Sequence, residues 1–323
     1  MRVDILALDG VFDTGLAAFQ DTLATAGELA PPEIDVRFDV RVVGCRRTVR
    51  TAQGLRVTCA IADPADPPDY LLVPALGAKT DDTLGAALAG PGTAAVGRLL
   101  RRRREQDVTI AAACTGVFVL AEAGLLDRVE ATTTWWLAPF FRSRYPGIAL
   151  NDTRTLVQSG TIVTAGAVLA HFDLALWIVR RSSPALADTI ARYLMLDPRT
   201  PQSSYAIPDH VRHSDPVVQA FERWVRENMA LGLSVEEAAG RIGVSGKTLA
   251  RRVRETLGRT PMAYYQDLRI ERATHLLGTT RLSVDEIATQ TGYMNGTTLR
   301  SLIRNRTGRT ASELRRINEH SAS

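Results

Sequence analysis

An internal repeat in the last third of the chain constrains the fold more than any other feature. Residues 234–243 recur 49 residues later as residues 283–292. After one inserted residue near Met294, residues 246–260 recur 50 residues later as residues 296–310. Twelve positions are identical in the two copies. Repetition of this kind indicates that one supersecondary unit is used twice.

Each copy has the pattern of two helices joined by a tight turn. A serine is followed three positions later by a glutamate, which predicts a capping box, and a glycine then ends the first helix. The second helix is predicted to begin at Ser245 or Asn295. These signals are Ser234, Glu237 and Gly243 in one copy and Ser283, Glu286 and Gly292 in the other. The sequence therefore predicts helix-turn-helix units over residues 234–257 and 283–306, which place a helix in the DNA major groove.

The two second helices are amphipathic, with polar and cationic residues on one face. On the first, Lys247, Arg251 and Arg254 follow spacings of four and three, while Leu249 and Val253 face inward. The candidate DNA-binding residues are Lys247, Thr248, Arg251, Arg254, Thr297, Arg300, Ser301 and Arg304. One such face alone is typical of an ordinary solvated helix. Two paired units favour DNA binding.

A long amphipathic helix is predicted between the units, over residues 261–277. At 1.5 Å per residue it spans roughly 25 Å. It would hold the second helices far enough apart to enter successive turns of the groove, roughly 34 Å apart. Arg269 and Arg272 on its polar side would contact either phosphate or solvent.

Charge and composition divide the chain near residue 200. Residues 211–323 hold 18 Lys and Arg against 12 Asp and Glu, whereas residues 1–210 hold 21 against 23. A basic block is compatible with a polyanionic partner. We predict a first domain over residues 1–197, a proline-bearing linker over 198–210 and a helical domain over 211–318.

The first part alternates short apolar strands with amphipathic helices. Strands are predicted at residues 3–8, 36–43, 69–74 and 108–113. This alternation predicts an α/β domain whose mostly parallel sheet is covered on both faces. The arginine run 101–104 is interpreted as a solvated helix C-terminus rather than a nucleic-acid site.

Cys114 lies at a sharp turn between a buried strand and a helix. The turn Cys114-Thr115-Gly116 follows strand 108–113 and precedes helix 117–124. Open α/β sheets bind their ligands at such strand ends, and the helix N-terminus is expected to lower the thiol pKa. Three interpretations stay open: a ligand pocket, a small buried residue at a tight turn, or a catalytic thiol.

The first part resembles the DJ-1/PfpI superfamily, in the form fused to a DNA-binding domain in GlxA-like regulators. The resemblance rests on residues 113–127 and 131–135 and covers nearly the whole first domain. It implies a flavodoxin-like sensor domain that dimerises. The ligand pocket that it implies comprises Asp13, Cys114, Thr115, Thr134 and Trp135.

The helical part resembles the AraC/XylS-type DNA-binding domain from residue 216 to residue 314. Residues 282–308 carry the most specific part of the pattern. Thr298 and Leu299 stand where relatives often have an aromatic residue, which we expect to change packing more than DNA contact. By position in the motif, Arg304 is expected to contact the DNA backbone.

One departure from the DJ-1/PfpI pattern bears on catalysis. Thr134 stands where a histidine is common, and a threonine hydroxyl cannot accept a proton near neutral pH. A Cys-His catalytic pair therefore cannot form there. His171 is interpreted as a structural hydrogen-bonding residue, with a place in the pocket as the alternative. We predict no catalytic residues.

These observations predict a DNA-binding transcription regulator of the AraC family, controlled by a small-molecule or redox signal at the first domain. The alternative is a cysteine-dependent amidase, protease or glyoxalase-like hydrolase. Expected partners are double-stranded DNA, a small effector, a second copy of the chain and RNA polymerase. Three widely spaced cysteines favour neither a disulfide framework nor a metal site, and we expect no cofactor. No signal peptide or membrane span is apparent, so the cytoplasm is the expected location.

Overall fold

The computed structural model describes residues 1–31, 37–196, 202 and 213–320. The chain divides into two units, Met1–Ser203 and Ser204–Ser323. Of the predicted linker 198–210, only Gln202 belongs to the described residues. The start of the strand predicted at 36–43 and residues 211 and 212 also lie outside them.

The first unit has eleven strands within its described residues, and seven of them form its main sheet. The eleven strands are β1 (Arg2–Leu6), β2 (Asp39–Gly44), β3 (Thr48–Arg50), β4 (Arg56–Thr58), β5 (Ala60–Ile61), β6 (Tyr70–Val73), β7 (Thr109–Ala113), β8 (Glu130–Ala131), β9 (Ala149–Leu150), β10 (Leu156–Ser159) and β11 (Ile162–Ala165). The sheet has the order β10-β11-β7-β6-β1-β2-β5. The β10–β11 pair is antiparallel and the other neighbouring pairs are parallel.

Helices cover both faces of this sheet, as the alternation of apolar segments predicts. They are α1 (Asp13–Leu29), α2 (Asp81–Leu88), α3 (Pro91–Glu105), α4 (Gly116–Glu122), α5 (Ala138–Arg144), α6 (Ala170–Ser182) and α7 (Pro184–Tyr193). Phe19, Leu174 and Ile190 anchor α1, α6 and α7 in one core. Leu84 and Phe118 anchor α2 and α4 in the other. The central strands are buried on both sides, which is typical of parallel sheets.

Two details of the first unit differ from the sequence prediction. The pairing of β3 with β4 forms a short hairpin that the apolar pattern does not reveal. In the run 101–104, Arg103 is buried rather than solvated. Its guanidinium donates to the Asp63 carbonyl at 2.6 Å and to Gln106 Oε1 at 2.9 Å. This arginine therefore fixes a loop against the end of α3.

The second unit contains seven helices within residues 213–320. They are α8 (Pro216–Glu227), α9 (Val235–Arg241), α10 (Gly246–Leu257), α11 (Pro261–Thr279), α12 (Val284–Gln290), α13 (Gly296–Thr307) and α14 (Ala311–His320). The predicted helix 261–277 corresponds to α11 and extends two residues further. Its first half, with Tyr264 and Leu268, packs with α8, α9 and α10. Its second half, with Ile270 and Leu277, packs with α12 and α13.

A buried carboxylate on α11 connects the two repeats electrostatically. Asp267 binds the guanidinium groups of Arg259, which precedes α11, and of Arg306, which lies in α13. The Arg306–Asp267 distance is 3.1 Å, and the Asp267 side chain is only 14% exposed. One carboxylate therefore balances a cation from each repeat.

We expect Asp267→Asn to lower the free energy of unfolding by about 3 kcal/mol, because it removes the shared carboxylate from two largely buried cations. The matched control is Asp188→Asn, whose carboxylate pairs with Arg180 and is 72% exposed. Exposed pairs contribute about 0–1 kcal/mol. Calorimetry on the full chain measures both variants, and equal losses would contradict the assignment.

Candidate functional site

The first helix of each repeat begins at a serine cap. In α12 both bonds of a capping box form: the Glu286 amide donates to Ser283 Oγ, and the Ser283 amide donates to Glu286 Oε2 at 2.7 Å. In α9 the Glu237 amide donates to Ser234 Oγ at 3.3 Å. The reciprocal bond is absent from α9, so the prediction of two complete boxes holds only for the second repeat.

The turn after each first helix uses a glycine in the left-handed region. Gly243 has φ +79° and Gly292 has φ +75°. A Cβ atom at Gly292 would also lie 2.8 Å from the Met229 carbonyl oxygen. Both the backbone conformation and the close approach therefore require glycine at this turn.

The second helices, α10 and α13, are capped in the same way in both repeats. Ser245 Oγ accepts from the Thr248 amide at 3.1 Å, and Asn295 Oδ1 accepts from the Thr298 amide at 2.9 Å. The Thr248 hydroxyl also lies 2.8 Å from Ser245 Oγ. Thr248, a predicted DNA-binding residue, therefore takes part in the cap itself.

Apolar residues lie on one face of α10 and of α13, and polar and cationic residues lie on the opposite face, as the spacing predicts. Leu249, Val253, Leu299 and Ile303 are buried in the two cores. The exposed residues on the opposite faces are Lys247, Arg251, Arg254, Thr297, Arg300, Ser301 and Arg304. Each repeat thus presents a polar and cationic helix face to solvent.

One arginine on the exposed face of α10 and one on that of α13 lie beside surface carboxylates. Arg251 pairs with Glu255 at 3.0 Å, and Arg300 lies 3.9 Å from Asp285. All four side chains are more than half exposed. Such pairs contribute little to stability, so a phosphate can replace the carboxylate at small cost.

Arg269 on α11 has structural contacts that the sequence did not predict. Its guanidinium lies 3.7 Å from the Tyr293 ring centroid and 5.0 Å from that of Tyr265. Its Nε also donates to the Thr291 carbonyl at 2.5 Å. Arg272 is exposed and stays a candidate.

In the first unit, Cys114 forms the predicted turn at the carboxyl end of β7. Its φ of +55° is unusual for a residue other than glycine. The Cys114 amide donates to the Ala165 carbonyl at 2.8 Å. A Cβ atom at Gly116 would lie 2.5 Å from the Val73 carbonyl, so this glycine allows α4 to approach β6. The strained turn is held by both neighbouring strands.

The Cys114 thiol differs from the predicted activated thiolate. Burial raises its pKa to about 11, and hydrogen bonding from Thr115 opposes this shift only in part. Helix α4, at seven residues, does not offset the loss of hydration. The prediction of a lowered pKa is therefore wrong, because the side chain is 3% exposed.

The other four predicted pocket residues differ in their burial and in their hydrogen bonds. Thr115 exchanges two hydrogen bonds with the backbone of Leu76, at 2.8 and 2.7 Å. Thr134 is fully buried, and its hydroxyl has no hydrogen bond of normal geometry among the described residues. Trp135 is half-buried beside Trp136. Asp13 accepts from the Gln53 amide at 3.1 Å, and none of its hydrogen bonds within the described residues reaches Cys114.

His171 makes structural hydrogen bonds, which is the interpretation that the sequence favours. Its Nε2 accepts from the Ala75 amide at 3.1 Å, and its Nδ1 lies 2.6 Å from the Val168 carbonyl. Both nitrogens are occupied, so the ring is neutral and cannot serve as a base for the thiol. Burial lowers its pKa to about 4.

Comparison with known proteins matches the two parts of the chain to known families. Residues 1–181 match the DJ-1/PfpI family. The chain belongs to the DJ-1/PfpI family. Residues 238–317 match a helix-turn-helix domain and cover the second repeat and most of the first. The combination supports DNA-binding transcription regulation of the AraC type.

Several curated relatives of this chain are named HTH-type transcriptional regulators. The chain is 31% identical over 206 residues to the HTH-type transcriptional regulator CdhR of Pseudomonas aeruginosa, which covers 62% of this chain and 61% of that relative. It is 26% identical to the HTH-type transcriptional regulator GlxA of Rhizobium meliloti, over 83% of this chain and 82% of that relative. GbdR of Pseudomonas aeruginosa is 24% identical over 91% of this chain and 78% of its own length.

Solved structures support the fold of the first unit. An AraC family transcriptional regulator from Pseudomonas putida has a TM-score of 0.50 at 20% identity, covering 60% of this chain and 98% of that one. A regulator protein from Vibrio parahaemolyticus has a TM-score of 0.51 at 23% identity, with the same coverage. At this identity the likeness shows the fold alone. Within the described residues, no helix combines the length and apolarity needed to cross a membrane.

Alkylation measures the state of the Cys114 thiol. Because its pKa is about 11, we expect Cys114 to react with iodoacetamide far more slowly than the exposed Cys45 at pH 8, and to react at a similar rate after denaturation. Peptide mass spectrometry resolves the two sites. Equal rates in the folded chain would contradict the burial of this thiol.

His171 makes a separate prediction about pH. A neutral buried histidine stabilises the fold above its unfolded pKa, and this contribution is lost as the pH falls from about 6.5 toward 4, because the unfolded chain takes up the proton. We expect His171→Asn to be less stable at pH 7 and to lose less stability over this interval. Denaturant titration at several pH values measures this, with the exposed His275→Asn as the control.

Proposed function

We propose that this protein is a one-component transcription regulator whose two recognition helices, α10 and α13, enter successive major-groove turns of double-stranded DNA. The observation that carries the proposal is the repeated helix-turn-helix unit, with an outward cationic face on each second helix. At 1.5 Å per residue, the 19-residue helix α11 is about 28 Å long, which is close to one helical turn of DNA.

The residues divide by the DNA groups to which we assign them. Lys247, Arg251, Thr297, Arg300 and Ser301 contact base edges or adjacent phosphates. Arg254 and Arg304, one repeat apart near the ends of α10 and α13, contact the phosphate backbone. Thr248 contributes through the helix cap rather than by reaching outward, since its hydroxyl pairs with Ser245.

We assign effector sensing to the first unit, at the Cys114 turn. The pocket residues are Asp13, Cys114, Thr115, Thr134 and Trp135, and the effector is a small molecule. Pairing of two first units would present two DNA-binding units to paired half-sites, and RNA polymerase would be the further partner of an activator. The buried Thr134 hydroxyl supports the pocket, because a bound ligand would satisfy it.

No observation favours the hydrolase alternative for this chain. Cys114 is buried with a raised pKa, Thr134 replaces the base, and both nitrogens of His171 are already hydrogen-bonded. Sensing through oxidation of Cys114 is disfavoured for the same reason, since oxidation requires an accessible thiolate. We therefore assign the thiol a structural place in the pocket wall.

Replacing Arg251 and Arg300 together by alanine is expected to weaken DNA binding by tenfold or more, because each arginine contributes about 1–3 kcal/mol when it binds a base. The slope of log Kd against log salt is expected to fall by about 2, because the variant has two fewer charges to neutralise phosphates. Fluorescence anisotropy on genomic fragments recovered with the wild-type chain measures both quantities.

The control for this experiment is Arg46→Ala with Arg180→Ala. These arginines lie in the first unit, are 61% and 53% exposed, and are paired with surface carboxylates like their counterparts. The control removes the same net charge from the chain. Equal weakening in the two double variants would overturn the assigned DNA-binding faces.

A further inference from the structure

A glutamine from the predicted linker is buried inside the first unit. Gln202 is 3% exposed, although glutamine is mostly found at protein surfaces. Burying a carboxamide is costly unless its polar atoms find partners. The position of Gln202 therefore requires a site that compensates for the lost water.

That site is a cradle of three oxygen atoms, which we call the Thr132 cradle. Gln202 Nε2 lies 2.9 Å from Thr132 Oγ1, 2.9 Å from the Thr133 carbonyl and 3.0 Å from the Arg154 carbonyl, and its two protons are shared among these three acceptors. Thr132 Oγ1 gives its own proton to the Arg154 carbonyl at 2.8 Å. The two carbonyl oxygens have no proton, and the Thr132 proton is already used, so all three atoms can only accept hydrogen bonds from the bound group.

The chemistry of the Thr132 cradle selects a nitrogen with protons to donate. A carboxylate there would face three acceptor atoms and be repelled, and an N,N-disubstituted amide would have no N–H to donate. The three acceptors are a hydroxyl and two carbonyls, none of them a carboxylate, so a neutral amide needs no counter-charge. A primary carboxamide is therefore the group that fits.

Gly166 provides the space for this carboxamide. A Cβ atom at Gly166 would overlap Gln202 Oε1 and would lie 2.5 Å from Gln202 Cδ. The φ of Gly166 is not in the left-handed region, so the backbone itself does not require glycine here. The close approach of the Gln202 side chain is the structural reason for glycine at this position.

The Thr132 cradle shares its walls with the Cys114 turn. The Thr133 hydroxyl donates to the Cys114 carbonyl at 2.8 Å, and the Cys114 amide bonds Ala165, next to Gly166. Gln202 Oε1 and Thr134 Oγ1 are both buried without hydrogen-bond partners among the described residues. A ligand that takes the place of Gln202 and also hydrogen-bonds Thr134 Oγ1 would make a bond that the glutamine does not make.

We propose that the Thr132 cradle is a binding site for a primary carboxamide, that Gln202 occupies it as an intramolecular ligand, and that a small amide-bearing effector displaces Gln202. Resting on the proposed function, this exchange releases Gln202 from the first unit, to which it belongs in the structure.

The first test is chemical complementation with acetamide, which replaces the side-chain atoms that Gln202→Ala removes. We expect acetamide to raise the melting temperature of full-length Gln202→Ala saturably, by a few degrees. The wild-type chain is expected to respond weakly, because its tethered glutamine competes at high effective concentration. N,N-dimethylacetamide, which has no N–H group, is expected to give no rise.

Further variants separate this proposal from a loss of folding. Gln202→Glu keeps the side-chain size but removes the donors, and the exposed Gln158→Glu is its matched control. Gly166→Ala fills the space, and Gly147→Ala, where a Cβ atom meets nothing within 4 Å, is its control. We expect both test variants, but neither control, to speed tryptic cleavage after Arg199 several-fold, because the anchor is released.

The melting and cleavage experiments test the Thr132 cradle independently of DNA binding. An equal acetamide response in wild type and Gln202→Ala, an equal response to N,N-dimethylacetamide, or a stronger response to methylammonium would overturn it. Unchanged cleavage in both Gln202→Glu and Gly166→Ala would also overturn it. If the wild-type chain failed to bind DNA, the proposed function would fail while the melting and cleavage results would still decide the cradle.

Discussion

The sharing of one helix between two small cores is the constraint on which the DNA-binding unit depends. Helix α11 supplies part of both cores: Tyr264 and Leu268 to the first, Ile270 and Leu277 to the second. Asp267, between these groups, binds an arginine from each side. Because the helix is rigid and continuous, the separation of α10 and α13 is a property of its length rather than of a flexible connection.

In the first unit the corresponding constraint is the strained turn at Cys114. The turn is held by hydrogen bonds to β11 and to the threonine segment 132–134, and its neighbour Gly116 fits against the end of β6. This packing removes the thiol from water and raises its pKa. The same packing brings the cradle around Gln202 next to the turn. The strand-turn-helix arrangement at Cys114 does not present a nucleophile in this chain. The site that lies beside the turn is the Thr132 cradle, which consists of uncharged hydrogen-bond acceptors.

The sequence predicted the elements whose signals are local. Apolar runs located β1, β6 and β7, and serine, asparagine and glycine signals located both helix-turn-helix units within about two residues of their observed bounds. It did not predict the β3–β4 hairpin, because those strands are short and largely exposed. It also failed for Arg103 and Arg269, because an arginine bound to distant backbone carbonyls or held between tyrosines has the same local pattern as a solvated one.

The sequence by itself determined the two-part organisation, the duplicated helical unit and the threonine at position 134, because repeats, caps and residue identities are properties of the chain. Only the tertiary structure decided the state of that thiol, the tautomer of His171 and the burial of Gln202. Each of these depends on residues far apart in sequence: Ala75 for His171, and Thr132 and Arg154 for Gln202. Desolvation and hydrogen-bond geometry arise from such distant neighbours, so no local pattern can predict them.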